Sequence, residues 1–191
     1  MSDGILYIDL GAHTGAKARE YAQRVKMRRA ILFEPNLAID TQPIPGVETV
    51  ILRVAAWGHD GMLPFYIGRA DAATGSSLLR TKTTGDLDYE HPIYVWVCDF
   101  ARWLMEDLHW PIRNGIEIKF NVEGAEYAIF SRMADLNVLG WSAITAIHLS
   151  THSSKLGLAP SRDAQLDTWL LGEGFKPYPS EFGDGFTTWR R

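Results

Sequence analysis

The stretch ILYIDLGAHTG, residues 5–15, says most about the architecture of this chain. Residues 5–11 form a short β-rich run that stops at a glycine, which is typical of a buried strand ending in a turn. Thr14 is expected to cap a helix running to about Met27. Within that helix, apolar residues recur at helical spacing: Ala18, Tyr21, Ala22 and Val25. The chain therefore opens with a strand, a turn and a helix.

The same alternation continues along the chain. Further strands are predicted over 30–34, 47–57, 62–68, 94–100, 116–122 and 142–151, and further helices over 101–108, 124–139 and 162–172. A closing β-hairpin is predicted over 175–179 and 185–189. Strands that alternate with helices indicate an α/β fold, with a doubly wound and mostly parallel sheet. The hairpin adds an antiparallel strand to that sheet.

Length and composition indicate one domain over residues 1–191, with 46% hydrophobic and 22% charged residues. The net charge of −4 argues against a non-specific nucleic-acid binder. The single cysteine, Cys98, cannot form an intramolecular disulfide, and no leader or membrane-length apolar run is evident, so we expect a cytoplasmic protein. The polar segment 69–92 is expected to be a binding loop or lid.

A glycine-containing turn links the first strand and helix, with the pattern D-x-G-x-x-x-G over residues 9–15. A dinucleotide fingerprint would need glycine at positions 13 and 16, where this chain has His13 and Ala16. The turn therefore suits a smaller ligand. Glu34 closes the second strand, where a carboxylate can accept both hydroxyls of an adenosine ribose. The alternative is that Asp9 and Glu34 only cap turns.

A second polar pattern runs through residues 116–126, where every other residue is polar: Glu117, Lys119, Asn121 and Glu123. An exposed edge strand would explain this alternation. A central strand would instead carry Asn121 and Glu123 at its carboxyl end, facing a ligand crevice. Lys119 would then need an acidic partner, either Asp9 or Glu123.

The next strand has polar residues of one parity, His148, Ser150 and His152. His148 is expected to be structural. His152 lies where the strand should end, which is a position from which a general base can reach a crevice.

Several motifs together resemble the FkbM-type S-adenosylmethionine-dependent methyltransferases. They are, in order, YIDLGAHTG, FEPN (33–36), VAAWGHDG (54–61), GSSL (75–78) and IKFNVEGAEY (118–127). The combination of FEPN with VEGAEY at this spacing is the most specific part, and the resemblance covers about residues 5 to 152.

The resemblance implies a seven-stranded Rossmann-like sheet and methyl transfer to a hydroxyl of a sugar, glycan or small natural product. It implies that S-adenosylmethionine is held by Asp9, Gly11, Ala12, His13, Thr14, Gly15, Glu34, Pro35, Asn36, Ala55, Ala56 and Asn121. Three residues depart from the family pattern: Asn121 and Ala101 stand where Asp is usual, and Ser150 where Glu is usual. These departures remove negative charge from the expected pocket.

The expected chemistry is O-methylation with His152 as the base and Glu123 as an orienting partner or substitute. The main alternative is a cofactor-binding module without catalysis. A nucleic-acid methyltransferase is disfavoured by the net charge, although residues 26–29 form a short basic run that is better explained as the end of the first helix. An oxidoreductase is disfavoured by the broken dinucleotide pattern. The histidines lack the spacing of metal ligands, so no metal site is predicted. A magnesium site made of carboxylates alone is an alternative that no motif supports.

Overall fold

The computed structural model describes residues 4–69, 74–108 and 114–191, which form an α/β fold. No helix within these ranges combines the length and the apolar character that a membrane crossing needs. In chain order the elements are β1 (Ile5–Leu10), α1 (Ala16–Ala22), β2 (Met27–Phe33), β3 (Glu48–Leu52), β4 (Ala55–Trp57), β5 (Gly61–Phe65), β6 (Ile93–Asp99), α2 (Phe100–Glu106), β7 (Ile116–Phe120), α3 (Glu126–Asp135), β8 (Ile144–Leu149), α4 (Ser161–Gly172), β9 (Lys176–Tyr178) and β10 (Thr187–Arg190).

Seven strands form the main sheet, in the order β3-β2-β1-β7-β8-β10-β9. Strands β3, β2, β1, β7 and β8 are parallel to one another, while β10 is antiparallel to both of its neighbours. The predicted mostly parallel sheet and its closing hairpin are therefore confirmed. From β1 the chain adds β2 and β3 on one side of the sheet and later adds β7 and β8 on the other side. This change of direction places a topological switch point between β1 and β7. This arrangement is compatible with a Rossmann-like fold.

Each face of the main sheet buries its own apolar cluster. Leu6, Ile8 and Leu10 of β1 pack with residues of α2, α3 and α4 on one face. Tyr7 of the same strand packs with Tyr21 of α1 on the opposite face. Because neighbouring residues of a strand point to opposite faces, β1 contributes to both clusters. The sheet is therefore covered on both faces, and a ligand crevice is expected at the ends of its strands.

Strand β7 lies inside the sheet, so the exposed-edge explanation of its alternating polar residues is wrong. It is paired with β1 on one side and β8 on the other. All five of its residues are buried, including Glu117 and Lys119. The polar side chains of this strand therefore need partners inside the protein.

The prediction of one strand over residues 47–57 is wrong, because these residues form two strands in different sheets. Strand β3 is the edge of the main sheet, whereas β4 pairs with β6 in a three-stranded sheet of order β4-β6-β5. Arg53 separates the two strands. Its Nη1 donates hydrogen bonds to the carbonyl of Ile39 (3.1 Å) and to Oγ1 of Thr41 (3.1 Å). These bonds tie the break between the strands to the loop after β2.

The first helix is shorter than predicted and starts differently. Gly15, rather than Thr14, is the N-cap residue, and α1 ends at Ala22. Met27 belongs to β2, where it is paired with Ile5 of β1. The basic run 26–29 therefore leads into and forms the start of a strand, and its interpretation as the end of the first helix is wrong.

Residue 11 has to be glycine because β1 and β7 end very close together. Gly11 has φ +81°, and a Cβ there would lie 2.1 Å from the carbonyl oxygen of Asn121. Gly46 has a similar φ of +74° but open space around it. We expect Gly46→Ala to cost only the left-handed backbone penalty of about 1–2 kcal/mol. Gly11→Ala should cost clearly more, because a backbone clash is added to that penalty.

Urea unfolding of the two variants measures the difference. Equal losses of unfolding free energy in Gly11→Ala and Gly46→Ala would contradict the close approach of the two strands.

Candidate functional site

A cavity of about 300 Å³ opens where the parallel strands of the main sheet end. Its wall is built from the connections that follow β1, β2 and β7, from Ala55 and Ala56 of β4, and from part of the 74–78 segment. This is the switch-point position at which doubly wound sheets bind ligands. Its volume lies at the lower end of the range of ligand pockets. The cavity is therefore the candidate ligand site.

Most of the residues predicted as site residues line this cavity. They are Gly11, Ala12, His13, Glu34, Pro35, Asn36, Ala55, Ala56, Asn121 and Glu123. Of the predicted residues, all of which the structure describes, those outside its lining are Asp9, Thr14, Gly15 and His152. Ala101, one of the departures from the family pattern, is a buried residue of α2 and packs in the apolar cluster between the helices and the sheet.

Glu34 joins the loops after β1 and β2. Its Oε2 accepts a hydrogen bond from the backbone N–H of His13 (2.8 Å), and its Oε1 accepts one from the N–H of Asn36 (2.9 Å). Each carboxylate oxygen keeps a second acceptor position. Burial raises the pKa of the Glu34 carboxyl above its usual value, and the two backbone hydrogen bonds only partly offset that rise. The carboxylate is thus able to accept further hydrogen bonds from a ligand.

The acidic partner of Lys119 is Asp9, one of the two candidates named from the sequence. Lys119 Nζ lies 2.6 Å from Asp9 Oδ1, and both side chains are almost fully buried. The hydroxyl of Tyr7 donates to the other Asp9 oxygen at 3.3 Å. Since its carboxylate is occupied in this way, Asp9 supports the floor of the site from behind, while Lys119 contributes to the lining.

Glu123 follows β7 in a left-handed backbone conformation, with φ +52°. Such a conformation is uncommon for residues other than glycine and often occurs at functional sites. His13, at the end of β1, has the same φ of +52°. Both residues line the cavity. The two strand ends that flank the switch point therefore share the same unusual turn geometry.

Three cationic or ionisable groups surround the Glu123 carboxylate. Lys82 Nζ lies 2.9 Å and Lys155 Nζ 3.7 Å from Oε2, and His152 Nε2 lies 3.5 Å from Oε1. Burial alone works to raise the pKa of Glu123, but the charges of His152, Lys82 and Lys155 outweigh burial and hold the pKa below its usual value. Glu123 is therefore ionised at neutral pH.

His152 is buried behind Glu123 and meets the cavity only through it. Its Nδ1 lies 2.7 Å from Oε1 of Glu126. Glu126 also accepts hydrogen bonds from the backbone N–H groups of Val122 (3.1 Å) and Gly124 (2.7 Å). Glu126 thus fixes both the turn after β7 and the orientation of His152. In this geometry Glu123, not His152, is the side chain that a ligand would touch.

His148 lies in a separate buried network, as expected for a structural residue. Its Nδ1 is 3.1 Å from the Thr188 hydroxyl, and its Nε2 is 3.4 Å from Glu117. Tyr21 donates to the same Glu117 oxygen at 2.5 Å, and Arg190 donates to the other oxygen at 3.1 Å. This network joins β7, β8 and β10 on the face that α1 covers.

The segment predicted as a lid lies against the cavity. Thr74, Gly75, Ser76 and Leu78 contribute to its wall. Ser77 exchanges backbone hydrogen bonds with Tyr66 (2.8 and 3.0 Å), and its hydroxyl donates to the carbonyl of Glu123 (2.8 Å). Residues 70–73 of the predicted lid lie outside the described residues. The described part of the segment is therefore fastened over the site.

Two residues that sequence reasoning did not assign are central to the site. Glu126 lies within the VEGAEY motif, and its position one turn from Glu123 could have drawn attention to it. Lys82 has no such signal, because its burial depends on the path of an irregular segment. Within the described residues, no three His, Cys, Asp or Glu side chains come together as metal ligands would.

Comparison with known proteins assigns no function to the site. The chain matches no protein-family model, no curated protein and no solved structure. Any assignment of function therefore depends on the residues of the cavity.

The Asp9–Lys119 pair gives a direct test of the site's electrostatics. Lys119→Met leaves a buried carboxylate without its cationic partner, which should cost about 3–5 kcal/mol of unfolding free energy. Adding Asp9→Asn should recover much of that loss. Lys17→Met is the matched control, because the Lys17–Glu20 pair is exposed and should contribute under about 1 kcal/mol. Urea unfolding in which Lys119→Met and Lys17→Met lose the same stability would contradict this role for the buried pair.

Proposed function

We propose that this protein binds S-adenosylmethionine and transfers its methyl group to a hydroxyl of a sugar or a small natural product. The proposal joins the sequence resemblance to FkbM-type methyltransferases with the geometry of the cavity. A fold of this kind hosts many activities, so the function has to be inferred from the residues of the site.

The observation that carries the proposal is the position of Glu34. Its carboxylate is in the cavity wall at the end of β2, and each oxygen is oriented by one backbone N–H. The free acceptor positions suit two neighbouring hydroxyl groups, as on a ribose. The resemblance assigns the same residue to the ribose of S-adenosylmethionine, so two independent arguments agree on it.

The remaining wall also fits this cofactor. Apolar side chains of the cavity lining, among them Ile39, Ala56 and Phe65, suit an adenine ring. The loop after β1, with Gly11 and His13, can approach the amino-acid part closely. The antiparallel strand of the closing hairpin is also what the resemblance implies for the sheet.

The main task of the protein in methyl transfer is to align the acceptor hydroxyl with the methyl group. When bound, S-adenosylmethionine supplies a methyl group already activated by its positively charged sulfur. A new oxygen–carbon bond forms as the sulfur–carbon bond breaks, and the hydroxyl proton leaves to a base. Glu123 is ionised and lines the cavity, so it is the residue proposed to take that proton. His152 is proposed to position Glu123.

One observation favours a second candidate, a cofactor-binding module without catalysis. The charges around Glu123 hold its pKa below the usual value. A carboxylate stabilised in this way is a weak proton acceptor, which lowers its power as a general base. Binding without methyl transfer would be the outcome expected of such a module.

Ligand binding tests the proposal first. S-adenosylmethionine and its demethylated product, S-adenosylhomocysteine, should both bind and stabilise the protein, by about 2.7 kcal/mol at 100 times the dissociation constant. NAD should not bind. Glu34→Gln should weaken binding about tenfold or more, since a hydrogen bond to a charged group contributes about 1.5–3 kcal/mol.

Titration calorimetry provides the measurement, with Glu48→Gln as the control because Glu48 is an exposed residue of β3. Binding of NAD without S-adenosylhomocysteine, or an unchanged affinity in Glu34→Gln, would overturn the proposed function.

The roles of Glu123 and His152 are separated by their effect on rate. At saturating cofactor, Glu123→Gln should slow methylation about 10²-fold or more, because it removes the base. The decline of the rate with falling pH should have its midpoint below about 4.3, the ordinary pKa of Glu, because the pKa of Glu123 is lowered.

His152→Asn keeps a hydrogen-bond donor for Glu126 and should slow the reaction less than Glu123→Gln does. A panel of sugars and small hydroxyl compounds with a labelled methyl donor supplies the acceptor. A rate in Glu123→Gln within threefold of the parent would exclude the base role.

A further inference from the structure

Lys82 is a lysine with a completely buried side chain, and nothing in the proposed transfer of a methyl group uses it. Its side chain has 0% exposure although it belongs to an irregular segment. Lysine is almost never fully buried unless it is paired, because an isolated ammonium in the interior is costly. The position of Lys82 therefore needs a physical reason.

The Lys82 ammonium is enclosed by the segment that carries it. Its Nζ donates a hydrogen bond to the carbonyl of Gly75. A Cβ at Gly75 would lie 3.1 Å from Nζ, and a Cβ at Gly85 would lie 3.2 Å from it. Both glycines have positive φ, at +75° and +95°. Glycine at these two positions lets the backbone close around the charge, so the segment forms a fitted cradle for the ammonium.

The carboxylate against this cradle belongs to the ligand cavity. Among the described residues, Glu123 supplies the only acidic oxygen within ion-pair distance of Lys82, at 2.9 Å from Oε2. Glu123, in the turn after β7, and Gly75 and Ser76, in the irregular segment, are two parts of the cavity wall. Lys82 contacts both parts of the wall from behind. An ion pair in this position holds the two parts together.

We propose that Lys82 is a positioning residue that fastens segment 74–89 to Glu123, so that the cavity wall closes only on an ionised carboxylate. The segment's other fastenings are consistent with this role. Thr83, next to Lys82, donates from its backbone N–H (2.7 Å) and its hydroxyl (2.9 Å) to the carbonyl of Lys155. The fastening itself does not depend on the proposed function, whereas its effect on cofactor affinity does.

Amide hydrogen exchange of the protein without ligand is the test. Lys82→Met should speed exchange at Ser77 and Thr83 at least tenfold, while the amides of β1 and β7 keep their protection. Lys155→Met is the matched control. Lys155 approaches the same Glu123 oxygen at 3.7 Å, but its side chain is 42% exposed, so its loss should change exchange less than threefold.

A double-mutant cycle separates fastening from simple packing. Glu123→Gln should speed exchange in the segment as Lys82→Met does, and the double variant should be no faster than the faster single variant. If Lys82 only fills space, the two effects will multiply instead. Exchange in Lys82→Met within threefold of the parent, or multiplied effects in the double variant, would overturn the proposal. Where Lys82→Met fails to fold, Glu123→Gln decides alone, because parent-like exchange there would also overturn it.

A separate measurement covers the cofactor. S-adenosylhomocysteine should bind Lys82→Met about tenfold or more weakly, since Gly75 and Ser76 are part of the wall. If the parent does not bind S-adenosylhomocysteine but the exchange results hold, the proposed function fails and the fastening stands. If the parent binds S-adenosylhomocysteine but the exchange results fail, the fastening by Lys82 fails and the proposed function stands.

Discussion

The close approach of β1 and β7 at their carboxyl ends is the constraint on which the site depends. Residue 11 can carry no side chain there, because a Cβ would meet the Asn121 carbonyl. The chain then leaves β1 towards α1 on one face of the sheet and leaves β7 towards α3 on the other. The two connections diverge from a common point. The space between them is the cavity, and His13 and Glu123 in these two turns line it.

The carboxylates around that space differ in what neutralises them. Asp9 has Lys119, and Glu123 has lysines and His152, so each has a cationic partner within the protein. Glu34 accepts its two close hydrogen bonds from backbone N–H groups, and burial raises its pKa. The charges of His13 and Arg53 act on Glu34 less strongly than burial does. A buried carboxylate whose close hydrogen bonds come from neutral donors gains most from further donors. This contrast supports the proposal that a ligand completes the hydrogen bonds of Glu34.

The sequence predicts those structural features that short local patterns determine. It does not predict features that depend on contacts between distant parts of the chain. The buried strand around Tyr7, the hairpin and the placing of Glu34 at a strand end follow from short patterns. The end of α1 does not, since Met27 is taken into β2 by its pairing with β1. Likewise, the break at Arg53 depends on the loop after β2 that holds its guanidinium. Lys82 is the extreme case, because its partner Glu123 is remote in sequence and its segment has no regular pattern.

The two proposals meet at the Glu123 carboxylate. As the proposed base, Glu123 gains a proton when the acceptor hydroxyl is methylated. As the partner of Lys82, it holds segment 74–89 through its negative charge. A proton on Glu123 removes that charge, so the reaction that the closed wall favours also weakens the contact that closes it. A lid that must open to release product gains from this arrangement, because release often limits the turnover of enzymes with closing loops. On these two proposals, the buried Lys82 ammonium keeps the wall closed until the proton arrives.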